Sequence, residues 1–317
     1  MLAFVIRRTI GALIVLAVVS FVVFVIFFVI PGGDPAVRIA GREPTPQNIA
    51  NIKHEFGLDR PFPIQYFRMM KQLFTGTLIS YSDRLNVWQQ IKSGAPNTFS
   101  LAIGAGLIWL FWGILVGVLA AVSAGRWSDR LITVLALVGI SMPVFWLGLL
   151  MRFLFAEGHP LTWFPDGEYS ALTQNPAQWF YHLILPWFTL AVLFIGFYGR
   201  VLRSNILDAI NEDYVRTARA KGLAPRRVLV KHVLRNSLIP IVTLFGLDFA
   251  AVLGGGAILT ETVYNLHGIG WYAAQAIDSL DLPPIMGVTM FGAFFIVLFN
   301  TLVDFFYAYL DPRIRPA

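Results

Sequence analysis

Charge is missing from this chain in long stretches. Six continuously apolar runs stand out, at 9–30, 98–124, 131–151, 180–199, 237–260 and 285–310, each 20 to 27 residues long. The first four carry no charged residue, the fifth carries Asp248 and the sixth Asp304. A bilayer core about 30 Å thick needs roughly 20 apolar residues of helix. Transmembrane strands would instead appear as alternating segments of about 10 residues, and helices are the spanning form that satisfies its own backbone. The pattern therefore predicts an all-α integral membrane protein with six transmembrane helices.

Composition sharpens this. Of 317 residues, 57% are hydrophobic and 13% charged, against about 25% charged in soluble domains. A water-soluble enzyme, a disordered chain and a fibrous repeat are excluded together. The absence of cysteine also excludes disulfides, thiolate metal sites and cysteine nucleophiles. The net charge of +6 raises nucleic acid as a partner, but the basic residues border the apolar runs, where they report orientation. With the N-terminus inside, fifteen Lys and Arg fall in inner segments: Arg7, Arg8, Arg126, Arg130, Arg313, Arg315 and nine between Arg200 and Arg235. The two short outer loops hold Arg152 alone against six acids. Both termini are predicted to be cytoplasmic. Arg7 and Arg8 ahead of an apolar run also resemble a secretory signal, but the run exceeds a 7 to 15 residue signal core and no small-residue cleavage site follows. The expected organisation is a cytoplasmic N-terminus and first span over 1–30, an external ledge over 31–97, and a core over 98–317 with the cytoplasmic loop 200–236. The ledge mixes Pro44, Pro46, Pro61 and Pro63 with Tyr66, Phe67, Met69, Met70, Leu73 and Phe74, which predicts interfacial helices and turns.

The inner loop reads as two short helices leading into the fifth span. Asn211 is placed to cap the first, Glu212 and Asp213 favour its dipole, Gly222 suits its end and Pro225 the first turn of the next. Tyr214, Ala218 and Gly222 recur every four residues as a slim stripe flanked by Arg216, Arg219 and Lys221. Such a helix either receives another protein closely or lies on anionic lipid.

These residues carry a family resemblance. DYVRTARAKGL at 213–223 and VLVKHVLRNSLIPIVT at 228–243 resemble the coupling loop of the peptide and nickel family of ABC importer permeases. FVIPGGDPA at 28–36, FGLDRPFPIQYF at 56–67, ILTETVYNLHGIG at 258–270 and LVDFFYAYLDPRIR at 302–315 extend the resemblance over nearly the whole chain. The general importer loop is written E-A-A, three residues, G, nine residues, I-x-L-P. Here Arg216, Thr217 and Ala218 occupy the E-A-A positions, and the proline stands at Pro240 where that spacing expects Arg235. Contacts inferred from the generic glutamate do not carry over to Arg216.

The resemblance implies a type I importer permease whose loop docks on a separate ATP-binding subunit through Glu212, Asp213, Tyr214, Arg216, Thr217, Ala218, Lys221 and Gly222. It further implies a homologous second permease, two ABC ATPase subunits that hold ATP and Mg, an extracytoplasmic substrate-binding protein, and a peptide cargo carried across the inner membrane of a prokaryote. Nickel chelates, glutathione and glycosides are alternative cargoes of such permeases, and an ATP-independent secondary transporter or channel is the alternative of another class. The chain itself has no GxxxxGK[ST] loop and no Gly-Lys dipeptide, so no nucleotide site of its own is expected. Gly268, Gly270 and Ala273 imitate a dinucleotide fingerprint without its strand and helix setting. The five histidines lack metal spacing and no GxSxG elbow occurs, leaving a non-enzyme subunit with no cofactor and no nucleic-acid partner.

Within the spans, Asp248 lies at the centre of 237–260, where a charge costs about 2.5 to 3.5 kcal/mol on insertion scales. It either lines the translocation path, meeting a peptide's amino terminus, or makes an interhelical contact. Gly254, Gly255 and Gly256 are expected to provide a bend or close crossing on the path. Asp304 is assigned to a structural pair near the inner end, and Arg152 to snorkelling at the outer interface. Gly113 and Gly117 form a GxxxG suited to tight contact with an unidentified helix.

Overall fold

The structure is a computed structural model describing residues 2–29, 35–40, 45–156, 158 and 160–310. Arg313, Arg315 and parts of the 28–36 and 302–315 motifs lie outside those residues, as does the side chain of Asp304. In chain order the helices are α1 (Leu2–Val29), α2 (Pro35–Ile39), α3 (Pro46–Phe56), α4 (Phe62–Phe74), α5 (Val87–Val122), α6 (Trp127–Ser141), α7 (Val144–Phe155) and α8 (Pro176–Ile210). There follow α9 (Asp213–Ala220), α10 (Pro225–Val228), a π-helical stretch at Leu229–Leu234, α11 (Arg235–Ser237) and α12 (Ile239–Ala251). A second π-helical stretch, Val252–Gly256, precedes α13 (Ile258–Val263), α14 (Ile269–Asp278) and α15 (Leu282–Leu310).

Among the described residues, five helical stretches are long and apolar enough to cross a membrane: Ile6–Phe27, Val87–Val122, Pro176–Ile210, Ile239–Gly256 and Leu282–Val303. The third expected span is not one straight helix. α6 and α7 meet at 101°, because Pro143 has no N–H to donate and drives Met142 out of the helical region, to φ −79° and ψ 126°. It counts as a sixth span only as a bent pair. Two other helices outrun their apolar cores. α5 starts at Val87 and passes through Pro96 without breaking, and α8 continues to Ile210, so 200–210 is the end of a long helix.

The chain groups into two compact units. The first comprises Met1–Thr98, Leu253–Ile258 and His267–Ala317. Here α1 packs along α15, and α4 presents Phe62 and Tyr66 to Phe24, with ring centroids 5.0 and 5.4 Å away. The Tyr66 hydroxyl lies 2.7 Å from Ser20 Oγ. Met69, Met70, Ile91, Tyr272 and Met286 join this core, while Ile64, Phe67 and Phe74 on the other face of α4 are exposed. The turn before α5 is held by buried Asp281, which accepts from the Tyr81 and Ser82 amides at 3.0 Å each and from the Ser80 hydroxyl. Burial, with the Asp281 charge second, pushes the Tyr81 phenol above its ordinary value.

The second unit comprises Phe99–Val252 and Leu259–Leu266. The helix that Gly113 and Gly117 receive is α8. A Cβ built on Gly113 would stand 2.7 Å from Tyr198 Cβ, and one on Gly117 2.8 Å from Leu202 Cβ and 2.9 Å from Gly199 O. Such contact replaces the hydrophobic drive that lipid cannot supply. On its other side α8 brings Gly196 against Ala136 O of α6. Arg152 does more than snorkel: its Nη2 donates to Asp166 Oδ2 at 2.9 Å and its Nη1 to Val263 O at 2.7 Å. A guanidinium supplies five donors, so one residue ties α7 to the loop after it and to the end of α13.

Candidate functional site

The α8–α10 connection is built as a helix, a turn and a helix, with one change in its capping. Asn211 does not cap α9. Its backbone stays helical and its N–H donates to Asp208 O at 3.2 Å, so it closes α8, and its side-chain amide donates back to Leu207 O at 3.1 Å. Glu212 takes the extended N-cap backbone (φ −69°, ψ 149°) without a side-chain cap, and Asp213 lies in the first turn. α9 ends at Ala220, and Gly222 two residues on turns the chain with a left-handed φ of +75°, its N–H donating to Arg219 O at 2.9 Å. Glycine takes that conformation without Cβ strain. Pro225 then opens α10.

α9 is amphipathic in a way that rotates the slim stripe. Val215 and Ala218, three residues apart and so on one face, are buried against the protein's own surface. Glu212, Asp213, Tyr214, Arg216, Thr217, Lys221 and Gly222 are exposed. Tyr214 and Gly222 thus face outward while Ala218 faces inward. Gly222 and Leu223 border an open hollow of about 540 Å³ that also includes Ala224, Arg226, Arg227 and Val230. A Cβ added at Gly222 would meet nothing within 4 Å.

Below this segment two links went unread in the sequence. Ser237 Oγ donates to Asn205 O at 3.2 Å and Asn205 Nδ2 to Ser237 O at 3.4 Å, joining α8 to α11. Two residues earlier, Arg203 forks onto Asp129 of α6, with Nε to Oδ1 and Nη2 to Oδ2 both 2.7 Å. The one available signal was an acid, Asp129, standing alone among Arg126 and Arg130 at the start of an apolar run.

Asp248 on α12 is half-buried and accepts from the Tyr198 hydroxyl of α8 at 2.7 Å. The interhelical contact is therefore present, and it leaves the second carboxylate oxygen without a protein bond among those described. Tyr198 sits beside Trp109, which is fully buried, stacks on Phe194 at 4.4 Å and lies 5.7 Å from Phe245. The Trp109 Nε1 has no hydrogen-bond partner among the described residues. Aromatic side chains thus surround the tyrosine that holds this acid.

The glycine triplet divides its labour. Gly255 takes φ +132° inside the π-helical stretch, a conformation closed to other residues. Gly254 crosses Gly292 of α15: a Cβ on Gly254 would stand 2.7 Å from Ile296 Cδ1, and one on Gly292 2.7 Å from Gly254 O. Bend and close crossing are both present. Since Ile296 can rotate and a backbone carbonyl cannot, Gly292→Ala is expected to lower thermal stability more than Gly254→Ala, within the range of about 1–3 kcal/mol for overpacking. Thermal unfolding in detergent checks this, and equal shifts would contradict the crossing.

The chain matches the model of the family described as "Binding-protein-dependent transport system inner membrane component" over residues 113–316 and that family's N-terminal model over 1–102. It is 38% identical over 313 residues to the probable peptide ABC transporter permease protein y4tP of Sinorhizobium fredii, covering 98% of this chain and 99% of that one. It is 38% identical over 330 residues to the probable D,D-dipeptide transport system permease protein DdpB of Escherichia coli (97% and 96% covered). The glutathione transport system permease protein GsiC of Salmonella paratyphi A is 38% identical over 317 residues, with 99% of each covered. Among solved structures, an amino acid ABC transporter with histidines aligns with a TM-score of 0.52 at 17% identity, over 70% of this chain and 94% of the other. That likeness concerns the fold alone.

Proposed function

The chain belongs to the family of inner-membrane components of binding-protein-dependent transport systems and is a multi-pass permease subunit of an ABC importer; we propose that its cargo is peptide. Relatives named for peptide, dipeptide and glutathione transport support a peptide-like substrate. The chain pairs with a homologous second permease, and the path runs between the two. Two ATPase subunits bind and hydrolyse ATP outside this chain, which has no phosphate loop. A binding protein delivers cargo to the ledge over 31–97 and the acidic outer loops. Both termini face the cytoplasm, as the excess of basic residues in inner segments argues.

The observation that carries this reading is the exposed α9–Gly222–α10 turn. An amphipathic helix that buries Val215 and Ala218 and leaves Glu212, Asp213, Tyr214, Arg216, Thr217, Lys221 and Gly222 outside offers an unfilled surface beside an open hollow. Docking there would draw α8 and α10 along with the ATPase as it closes on ATP. Asp248 meets the cargo's ammonium with its free oxygen, and Gly254, Gly255 and Gly256 let the outer part of the fifth span rearrange. Affinity purification of the tagged chain tests the assembly: an ABC ATPase and a second permease are expected to co-purify. Uptake that persists without any ATPase would overturn it. The ligand retained by the co-purified binding protein identifies the cargo.

A further inference from the structure

We propose that Asp129 and Arg203 are positioning residues that make α5 and α6 follow α8 when the docking segment is displaced. The inference rests on the reading of the α9–Gly222–α10 turn as the docking element.

α8 is one helix that feeds α9 directly, and Arg203 stands seven residues before its end at Ile210, about 10 Å along the axis. Its guanidinium holds both oxygens of Asp129, and Asp129 Oδ2 also accepts from the Gly125 amide at 2.9 Å. One carboxylate thereby joins three pieces: the end of α8, the first turn of α6, and the turn that connects α6 to α5. On the opposite flank, Asn205 and Ser237 close the base of the docking segment onto the end of α11. Displacement of that segment therefore meets fixed points on both sides of α8, and bending at its end cannot absorb it.

Farther along, α8 meets α5 through Gly117, Gly199 and Leu202. Close-packed apolar surfaces of this kind slide in shear, whereas a bidentate fork fixes both distance and angle. Simple glue would be a weak reason for the pair. Asp129 is only 4% exposed, and a buried ion pair often adds little net stability over apolar residues of the same volume. Directional positioning is what an apolar substitute could not supply.

The chain contains no cysteine, so two introduced ones are labelled in the purified chain before it is assembled with its partner subunits. Spin labels at Arg126→Cys, on the turn between α5 and α6, and Asn211→Cys, at the end of α8, are measured by pulsed dipolar spectroscopy. The sample is the assembled transporter with its partner subunits, with and without ATP. In the otherwise native chain the mean distance is expected to stay constant within about 2 Å, the scale of interface helix shifts. In Asp129→Asn and Arg203→Lys it is expected to move by more than that on ATP addition, with assembly retained. Asp129→Glu keeps a carboxylate that can hold the Arg203 guanidinium and accept from the Gly125 amide, and it is expected to restore constancy. A distance that shifts in the native pair, or stays constant in both single variants, overturns the proposal, as does an Asp129→Glu chain that behaves like the singles. The docking reading is judged separately, by whether Gly222→Glu loses the co-purifying ATPase. If Gly222→Glu loses it while Asp129→Asn keeps the distance fixed, the positioning role alone fails.

Discussion

Replacing Gly222 with glutamate is expected to abolish ATP-dependent uptake while leaving the subunit inserted in the membrane. Nothing in the chain's own structure stands within 4 Å of a Cβ at this position, so the added side chain has room in the isolated subunit. Two penalties remain. The left-handed backbone at φ +75° costs a non-glycine residue about 1–2 kcal/mol, and a carboxylate buried without a partner at a docking surface costs about 3–5 kcal/mol. At about 1.4 kcal/mol per tenfold, the second alone reduces ATPase association more than a hundredfold. Gly222→Asn separates the two, since asparagine tolerates the left-handed region and adds no charge. It is expected to retain most of the uptake. Proteoliposome uptake together with the amount of co-purified ATPase measures both, and a Gly222→Glu transporter that imports normally would remove the docking site from this turn.

Asp248→Asn is expected to cut import of peptides with a free amino terminus by about tenfold to a hundredfold. That range corresponds to the 1.5–3 kcal/mol of a hydrogen bond to a charged group. The substitution is informative because of Tyr198. Its hydroxyl donates to Asp248 Oδ2, and an amide oxygen accepts the same bond, so the link between α8 and α12 survives while the charge does not. A purely structural role therefore predicts little change, and a role in meeting an ammonium group predicts a loss confined to charged amino termini. Competition between free and N-acetylated peptides in the same uptake assay distinguishes them. Equal import by the native and Asp248→Asn transporters takes Asp248 off the path.

The spans were legible because a bilayer imposes one demand on every residue facing it, and gaps in charge register that demand without reference to neighbours. Gly222 and Pro225 were legible for a similar reason, since each acts on its own backbone. Asn211 was misread because the same side chain caps either direction, and the extension of α8 past the apolar run decided which. Pro143 lay in plain view inside 131–151, but apolar length outweighed it until the 101° break appeared. The partner of Gly113 and Gly117, the clamp of Arg152 and the fork of Arg203 all depend on which helices become neighbours. Arg203 and Asp129 are 74 positions apart, and no local pattern joins them. Asp248 could be placed at midspan from the sequence, whereas Tyr198 as its donor could not.

The break at Pro143 has a consequence for the lipid beside it. α6 has 15 residues and α7 has 12, about 22 and 18 Å of helix at 1.5 Å per residue. Set at 101° to each other, they do not add along one axis. With either half upright, the pair falls short of a hydrocarbon core about 30 Å thick. Lipid beside such a pair would have to shorten, or the Arg152–Asp166 clamp would have to sink below the headgroups and draw water with it.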